Sequence, residues 1–295
     1  MTVLHRISLG LLLALASPGC LSSRDVQSLG ERPSREAELS LSGPSSHFVS
    51  WNVHKATDER FAREVKDLLA TIPEDDRVIL CMQEVRSSTY DLIKDLHRNE
   101  VSGHYAPSWR YPFSQRSTGV LTISNWSQPA ARATSIPSPR REFLLTSPKV
   151  SLHTEVGLEG SDNLQVINCH GLNFVTDSVF ARQLDEIFTN LRGPESPAIV
   201  CGDFNVWSAD RLEILLEKAR EAGLAEADPP EPGISAAPRW RRWLKGFQGY
   251  DPDIALDRIF TRGIDVLECY YDESSLSSDH LPLVLRFRVA HDLSA

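Results

Sequence analysis

Several short apolar runs in this sequence end in a side chain suited to metal or phosphate chemistry. Phe48-Val49-Ser50-Trp51 leads to Asn52, and Val78-Ile79-Leu80-Cys81-Met82-Gln83 leads to Glu84. Val166-Ile167-Asn168-Cys169 leads to His170, and Ile199-Val200-Cys201-Gly202 leads to Asp203-Phe204-Asn205. Ala255-Leu256 leads to Asp257, and Ser277-Ser278 leads to Asp279-His280 just before the last apolar run. Taken singly, an acid after a strand is more often a turn residue or helix cap, and a lone His a satisfied packing residue. Together they matter, because strand ends in α/β proteins face a common edge and can gather such groups in one cleft. Hydrolysis of a phosphate diester needs that mixture: charge neutralised on the phosphoryl oxygens, a water activated in line, and the leaving oxygen stabilised.

The elements that must position these groups are mixed α and β. His47 to Val53, Val78 to Met82, Gly119 to Ser124, Leu164 to Cys169, Ala198 to Cys201, Ile254 to Thr261 and Leu281 to Val289 read as strands. In the last, Leu281, Leu283, Leu285, Phe287 and Val289 share one face and Arg286 and Arg288 take the other, as in a strand with one polar side. Helices are expected at Asp58 to Ala70 with Thr57 as cap, at Ser178 to Leu191, and at Ser208 to Ala222. In the second, Phe180, Leu184, Ile187, Phe188 and Leu191 form an apolar stripe that reads as core packing.

Asn52, Gln83-Glu84, His170, Gly202-Asp203-Phe204-Asn205, Leu256-Asp257 and Ser278-Asp279-His280 occur in an order that resembles the endonuclease/exonuclease/phosphatase superfamily (DNase I-like). The resemblance runs from about His47 to Val289 and includes the strand Gly119 to Ser124. It implies an α+β fold, a four-layer α/β/β/α sandwich of two mixed β-sheets flanked by helices, with one polar cleft binding Mg2+ or Mn2+. It implies Glu84 as metal ligand, joined by Asn52 and Asp279, which suits a cation that prefers oxygen donors and keeps several waters. Asp203 is expected to activate the attacking water and Asn205 to orient it, since residues two apart on an extended segment point the same way. His280 is expected to bind a phosphate oxygen or act as acid/base, oriented by Asp257, because a carboxylate partner fixes an imidazole's tautomer and raises its pKa. His170 is a second phosphate contact or the leaving-group acid. The base is left open between Asp and His.

A chain of 295 residues, 41% hydrophobic and 24% charged, is long enough for one large core. Its net charge of -9 argues against a protein that holds nucleic acid through a broad electropositive surface. Residues 1–20 have the layout of a signal peptide, and Ser17-Pro18-Gly19-Cys20 resembles a lipobox, with Ala14-Leu15-Ala16 as the competing ordinary cleavage site. The expected product is an exported, membrane-anchored lipoprotein carrying its lipid on Cys20, or else a soluble periplasmic or secreted protein. Residues 21–46 read as a disordered tether, 47–290 as the catalytic domain of a monomer, and 291–295 as a tail. Cys81, Cys169 and Cys201 sit in apolar runs and are expected as buried thiols. Arg239-Trp240-Arg241-Arg242-Trp243-Leu244-Lys245 interleaves positive charge with Trp, suited to stacked bases, phosphates or lipid headgroups, or equally to plain packing on the body. A nuclease-like phosphodiesterase is expected first. A phospholipid or inositol/sugar-phosphate phosphoesterase comes second, and a catalytically silent binding lipoprotein is the reading from another class.

Overall fold

The structure is a computed structural model that describes residues 26–30, 45–73, 76–93, 101–110, 117–125, 134–138, 149–157, 163–227, 251 and 254–289, the side chains of 109 and 110 excepted. The leader with Cys20, the Arg239 to Lys245 segment and the tail lie outside these residues. The first sheet has the order β1-β4-β5-β3-β2-β13-β12. Its strands are β1 (Gln27–Leu29), β2 (Ser46–Asn52), β3 (Arg77–Arg86), β4 (Ser102–Arg110), β5 (Ser117–Ser124), β12 (Ile264–Tyr271) and β13 (Leu283–Val289). The second has the order β10-β11-β9-β8-β7-β6. It is built from β6 (Thr134–Pro137), β7 (Val150–Val156), β8 (Leu164–His170), β9 (Ala198–Asp203), β10 (Ala225–Glu226) and β11 (Asp257–Arg262). Both sheets are mixed, with β2–β3 and β8–β9 parallel.

Period-two alternation sends the side chains of each strand to two destinations. Phe48, Ile79, Cys81, Leu283, Leu285 and Phe287 of the first sheet meet Leu164, Val166, Ile199, Cys201 and Ile259 of the second, forming the layer between the sheets. On the outer face of the first sheet, Val49, Trp51, Val78, Leu80, Met82 and Val284 pack against Phe61, Val65, Leu68 and Leu69 of α1 (Glu59–Ala70) and Ile93 of α2 (Thr89–Ile93). On the outer face of the second, Ile167, Cys169, Val200 and Phe260 pack against Phe180, Leu184 and Ile187 of α3 (Asp177–Phe188) and Leu215 and Ala219 of α4 (Ala209–Glu221). Helices, sheet, sheet and helices are the four layers expected.

Three expectations need correction. The α1 cap is Asp58, not Thr57, and its carboxylate accepts from the Phe61 amide at 2.9 Å. Residues 21–46 are not a tether throughout: Gln27–Leu29 pair antiparallel with β4, and Val26 packs with Ala106, Val120, Val150 and Leu152. A polar segment gains order there because the open backbone edge of β4 supplies ladder hydrogen bonds that its own composition does not reveal. The last strand is not one-sided either, since Val284 is buried against the α1 layer while Leu283, Leu285 and Phe287 face the other sheet. Cys81, Cys169 and Cys201 are buried free thiols, as expected; Cys269 is a half-buried fourth.

Candidate active site

The layer between the sheets turns polar toward one end, and register explains how. In β2 and β3, Phe48 lies opposite Ile79, Ser50 opposite Cys81 and Asn52 opposite Gln83, all pointing inward. In the second sheet, His170 lies opposite Asp203 across β8–β9, and Asp203 opposite Asp257 across β9–β11. Each inward row therefore begins apolar and ends in Asn52, His170, Asp203 or Asp257. His280 enters from the loop before β13, held where Trp51 Nε1 donates to its carbonyl at 2.9 Å. Ser278 Oγ ties the same loop to the Asn52 carbonyl at 2.6 Å.

A buried amide pair forms the floor. Gln83 Nε2 donates to Asn168 Oδ1 at 2.7 Å, joining the two sheets. Asn168 Nδ2 lies 3.2 Å from the Met82 carbonyl and 3.0 Å from that of Leu121. These carbonyls sit where the β3–β5 register shifts between Met82 and Val85, so the side chain serves backbone groups next to a bulge. The bulge turns Glu84 out of the strand with φ +54°, a left-handed conformation uncommon for a residue other than glycine. Gly202, at φ +137°, lies so close to β8 that a Cβ there would collide with the Cys169 carbonyl.

Asp203 is the centre. Its Oδ2 accepts from Asn52 Nδ2 at 2.9 Å and lies 3.9 Å from Nε2 of both His170 and His280. Its Oδ1 accepts from the Asn205 amide at 2.9 Å. The two 3.9 Å gaps are too long for direct hydrogen bonds and have the size that a bridging oxygen fills. Asn205 departs from expectation: the strand stops at Asp203, Asn205 has φ +53°, and its Nδ2 donates to the Gly171 carbonyl at 2.9 Å. The two residues thus do not share one extended segment, and Nδ2 of Asn205 is committed to the β8–α3 loop.

The two histidines are shifted in opposite directions. Burial alone would deprotonate His280, but Asp257, whose Oδ2 accepts from Nδ1 at 2.6 Å, outweighs it with help from Asp203 and Asp279, and the pKa is pushed up to about 9. His170 is pushed down to about 3 by burial first and then by Lys149, whose ammonium donates to Nε2 at 2.7 Å. At neutral pH His280 is a cationic donor and His170 a neutral acceptor with its proton on Nδ1. In that state His170 accepts at Nε2, as a phosphate contact or water-holding group would, and does not have a proton there to give. Burial also pushes Glu84 up, yet His170, Lys149 and Lys55 together hold it well below the usual carboxylate range.

Glu84, Asn52 and Asp279 were tested as metal donors on their surroundings. Lys55 Nζ lies 2.8 Å from Glu84 Oε2 and Lys149 Nζ 3.7 Å from Oε1, so both carboxylate oxygens face ammonium groups. Asp279 lies 3.4 Å from His54 Nδ1 and 4.0 Å from His280 Nε2. Asn52 Oδ1 accepts from the His54 amide at 3.0 Å. Among the described residues no three His, Cys, Asp or Glu side chains close into a cage. Two carboxylates and an amide, all oxygen donors, fit a hard cation that keeps several waters, not a closed four-ligand site.

Lys149 and Lys55 line the site beside Glu84 and His170, and the sequence pattern did not expose them. Lys149 precedes β7, and β7 runs antiparallel to β8, with Leu152 opposite Asn168, so the start of one strand meets the end of the other. A search of strand ends alone passes over it. Behind the site Arg211, fully buried at the start of α4, donates to the carbonyls of Leu172 at 3.0 Å, Asn205 at 3.3 Å and Val175 at 2.6 Å. Its guanidinium lies between the Phe180 and Trp207 rings, 4.9 and 4.6 Å from their centroids.

Residues 49–280 match the Endonuclease/Exonuclease/phosphatase family. A UPF0294 protein of Vibrio vulnificus (strain CMCP6) is 26% identical over 97% of this chain and 99% of its own length. A UPF0294 protein of Erwinia tasmaniensis is 30% identical over 84% and 83%. An endonuclease/exonuclease/phosphatase structure from Beutenbergia cavernae superposes with a TM-score of 0.62 at 15% identity, covering 83% of this chain and 72% of that one, a likeness of fold alone. With the matched span enclosing the site from Asn52 to His280, the chain belongs to the endonuclease/exonuclease/phosphatase family, and its activity is of the phosphoesterase type.

Proposed function

We propose that the chain is an exported, metal-dependent phosphodiesterase that cleaves P–O bonds by in-line attack of water. The observation that carries this is the placement of Asp203 Oδ2, 3.9 Å from a cationic His280 on one side and from a neutral His170 on the other. Glu84 and Asp279, with Asn52, would hold Mg2+ or Mn2+, which when bound polarises the phosphoryl oxygens. Asp203 holds the attacking water and takes its proton. Asp257 pushes the His280 pKa up to about 9 against its burial, which supports Asp203 over His280 as the base. His280 Nε2–H then binds a nonbridging phosphoryl oxygen, with Asp257 securing the imidazolium. Lys149, on the far side, presents a second positive charge to the leaving oxygen and holds the His170 ring.

The nucleic-acid substrate expected from the sequence depends on Arg239, Trp240, Arg241 and Arg242, which lie outside the described residues; their described flanks Ala227 and Asp251 are held by Ile259 and Trp207. The signal peptide and lipobox support export and a lipid on Cys20.

The test is turnover of bis(p-nitrophenyl) phosphate by the full chain with Mg2+, with Mn2+ and with excess EDTA. Asp203→Asn is expected to lose about 10²- to 10⁴-fold in kcat at unchanged Tm. Glu84→Gln should shift the activity to higher Mg2+ concentration. Full turnover in EDTA, or wild-type turnover by the Asp203 variant, overturns the reading.

A further inference from the structure

The loop that delivers Asp279 and His280 has little of its own to bury. From Asp272 to His280, between β12 and β13, the sequence holds one apolar side chain, Leu276, and it is 56% exposed. Apolar burial therefore cannot fix this loop, and its precision has to come from hydrogen bonds. Its base is closed where the Asp272 amide donates to the Pro282 carbonyl at 2.9 Å. The Asp272 carboxylate caps the first turn, accepting from the Ser274 amide at 3.0 Å and the Ser275 hydroxyl at 2.8 Å. At the far end β2 takes hold, through the Asn52 carbonyl on Ser278 Oγ and Trp51 Nε1 on the His280 carbonyl.

Between these two sets of anchors stands a carboxylate from a different element. Glu64, on α1, accepts from the Ser277 amide at 2.7 Å through Oε2, with its side chain only 13% exposed. Burial pushes its pKa up, but Ser277, the Leu276 amide and Arg60 together outweigh burial and hold the carboxyl below its ordinary value. Glu64 is therefore an anion at neutral pH, and amides bonded to an anion are held roughly twice as strongly as by a neutral acceptor. Arg60 Nε donates to the other oxygen, Oε1, at 2.9 Å, which leaves Oε2 turned to the loop. The same helix reaches the next anchor as well, since the Phe61 ring lies 5.4 Å from that of Trp51. An ion pair with Arg60, one helical turn away on the surface, would contribute little by itself, so the loop is the better account of this carboxylate.

We propose that Glu64 is a positioning residue for the reaction: through the Leu276 and Ser277 amides it sets where Asp279 and His280 stand. The proposal rests on the phosphodiesterase reading. Glu64 touches no reacting atom. It removes freedom from the loop, so that His280 Nε2 is already 3.9 Å from Asp203 Oδ2 and that place need not be found anew in each turnover.

The test compares the full wild-type chain with Glu64→Ala, Glu64→Gln and Arg60→Ala on bis(p-nitrophenyl) phosphate with Mg2+. Glu64→Ala should lower kcat by about ten- to a hundredfold and move KM by less than about twofold, because misplaced groups are missed in the transition state. Glu64→Gln keeps a carbonyl oxygen for the Ser277 amide and should lose only about three- to fivefold. Arg60→Ala should stay within about twofold of the wild type. In metal-free protein, the amides of 276–280 should exchange with deuterium faster in Glu64→Ala, while β2, β3, β8 and β9 exchange as in the wild type. Should Glu64→Ala fold poorly, Glu64→Gln decides: its partial loss with faster exchange at 276–280 supports the proposal, and wild-type values for both overturn it. Wild-type kcat in Glu64→Ala, an equal loss in Arg60→Ala, or faster exchange spread over the whole chain also overturns it. If the wild type turns over no diester, the phosphodiesterase reading itself falls; if the wild type is active and Glu64→Ala matches it, only the present proposal falls.

Discussion

Asp257→Asn separates the charge of His280 from its position. Asn is nearly isosteric and can still meet Nδ1 as acceptor or donor, so the ring stays in place. The carboxylate is the largest influence opposing burial, and without it a fully buried imidazole follows burial and loses its proton. At pH 7 the wild-type ring is neutral in only about one molecule in a hundred, from a pKa near 9; in the variant the neutral form should dominate. A hydrogen bond from a charged donor is worth about 1.5–3 kcal/mol and a neutral one about 0.5–1.5, so the loss is roughly 1–2 kcal/mol, or about five- to thirtyfold in kcat/KM. The basic limb of the pH–rate profile should move from near 9 to below neutrality. Stability follows the same linkage. The folded pKa exceeds the ordinary value of 6.5, so the contribution is complete below pH 6.5 and disappears as pH rises through 9. Wild-type Tm should therefore fall across that window, and the variant's should fall less. The assay is kcat/KM on a soluble diester from pH 5.5 to 10 alongside Tm in the same buffers. A variant that keeps its basic limb near 9 would show that Asp257 does not set the charge of His280.

Lys149→Met should cost about tenfold or more in kcat, as for one charged donor lost from a buried site, and flatten the acid side of the stability curve. His170 is held near 3, so its contribution is present above pH 6.5 and lost as pH falls toward 3; without the ammonium its pKa rises and less is lost, and identical Tm slopes from pH 6.5 to 4 would refute this. Asn168→Leu removes the donor to the Met82 and Leu121 carbonyls and leaves Gln83 Nε2 only its 3.4 Å contacts with Ser50 Oγ and the Cys81 carbonyl; at about 1–3 kcal/mol for a buried group left unpaired it should lower Tm by on the order of 10 °C. Gly202→Ala forces a Cβ against the Cys169 carbonyl at φ +137°, so it should give little soluble protein or a clearly lower Tm; wild-type Tm would mean that β8 and β9 can part there.

The sequence made the site legible where a strand's apolar run stops at a polar side chain, because burial ends abruptly at the sheet's edge. Asn52, Glu84, His170 and Asp203 were readable that way, Asp257 and His280 stand at the start of β11 and before β13 and were read through their order in the chain, and the structure brings all six together. Strands with mixed faces were not readable. β4 holds Ser102, His104 and Ser108 buried, and β7 buries Ser151, His153, Thr154 and Glu155, so neither shows an apolar run. β12 is a largely exposed edge strand whose pattern carries no burial signal. Lys149 was hidden by direction, standing at the start of a strand instead of its end. The orientation of Asn205 was hidden by a left-handed backbone, which sequence spacing cannot report for a residue other than glycine.

Arg211 has a consequence for motion. One guanidinium holds carbonyls in the loop after His170, at Leu172 and Val175, and in the loop after Asp203, at Asn205. Neither loop can open alone without leaving part of that buried cation unserved, and an unserved buried cation is far costlier than a frayed loop. The amides of 172–176 and 204–208 should therefore exchange with deuterium at a common rate, as one cooperative unit. Both halves of the site should then assemble together or open together, with half-open forms rare.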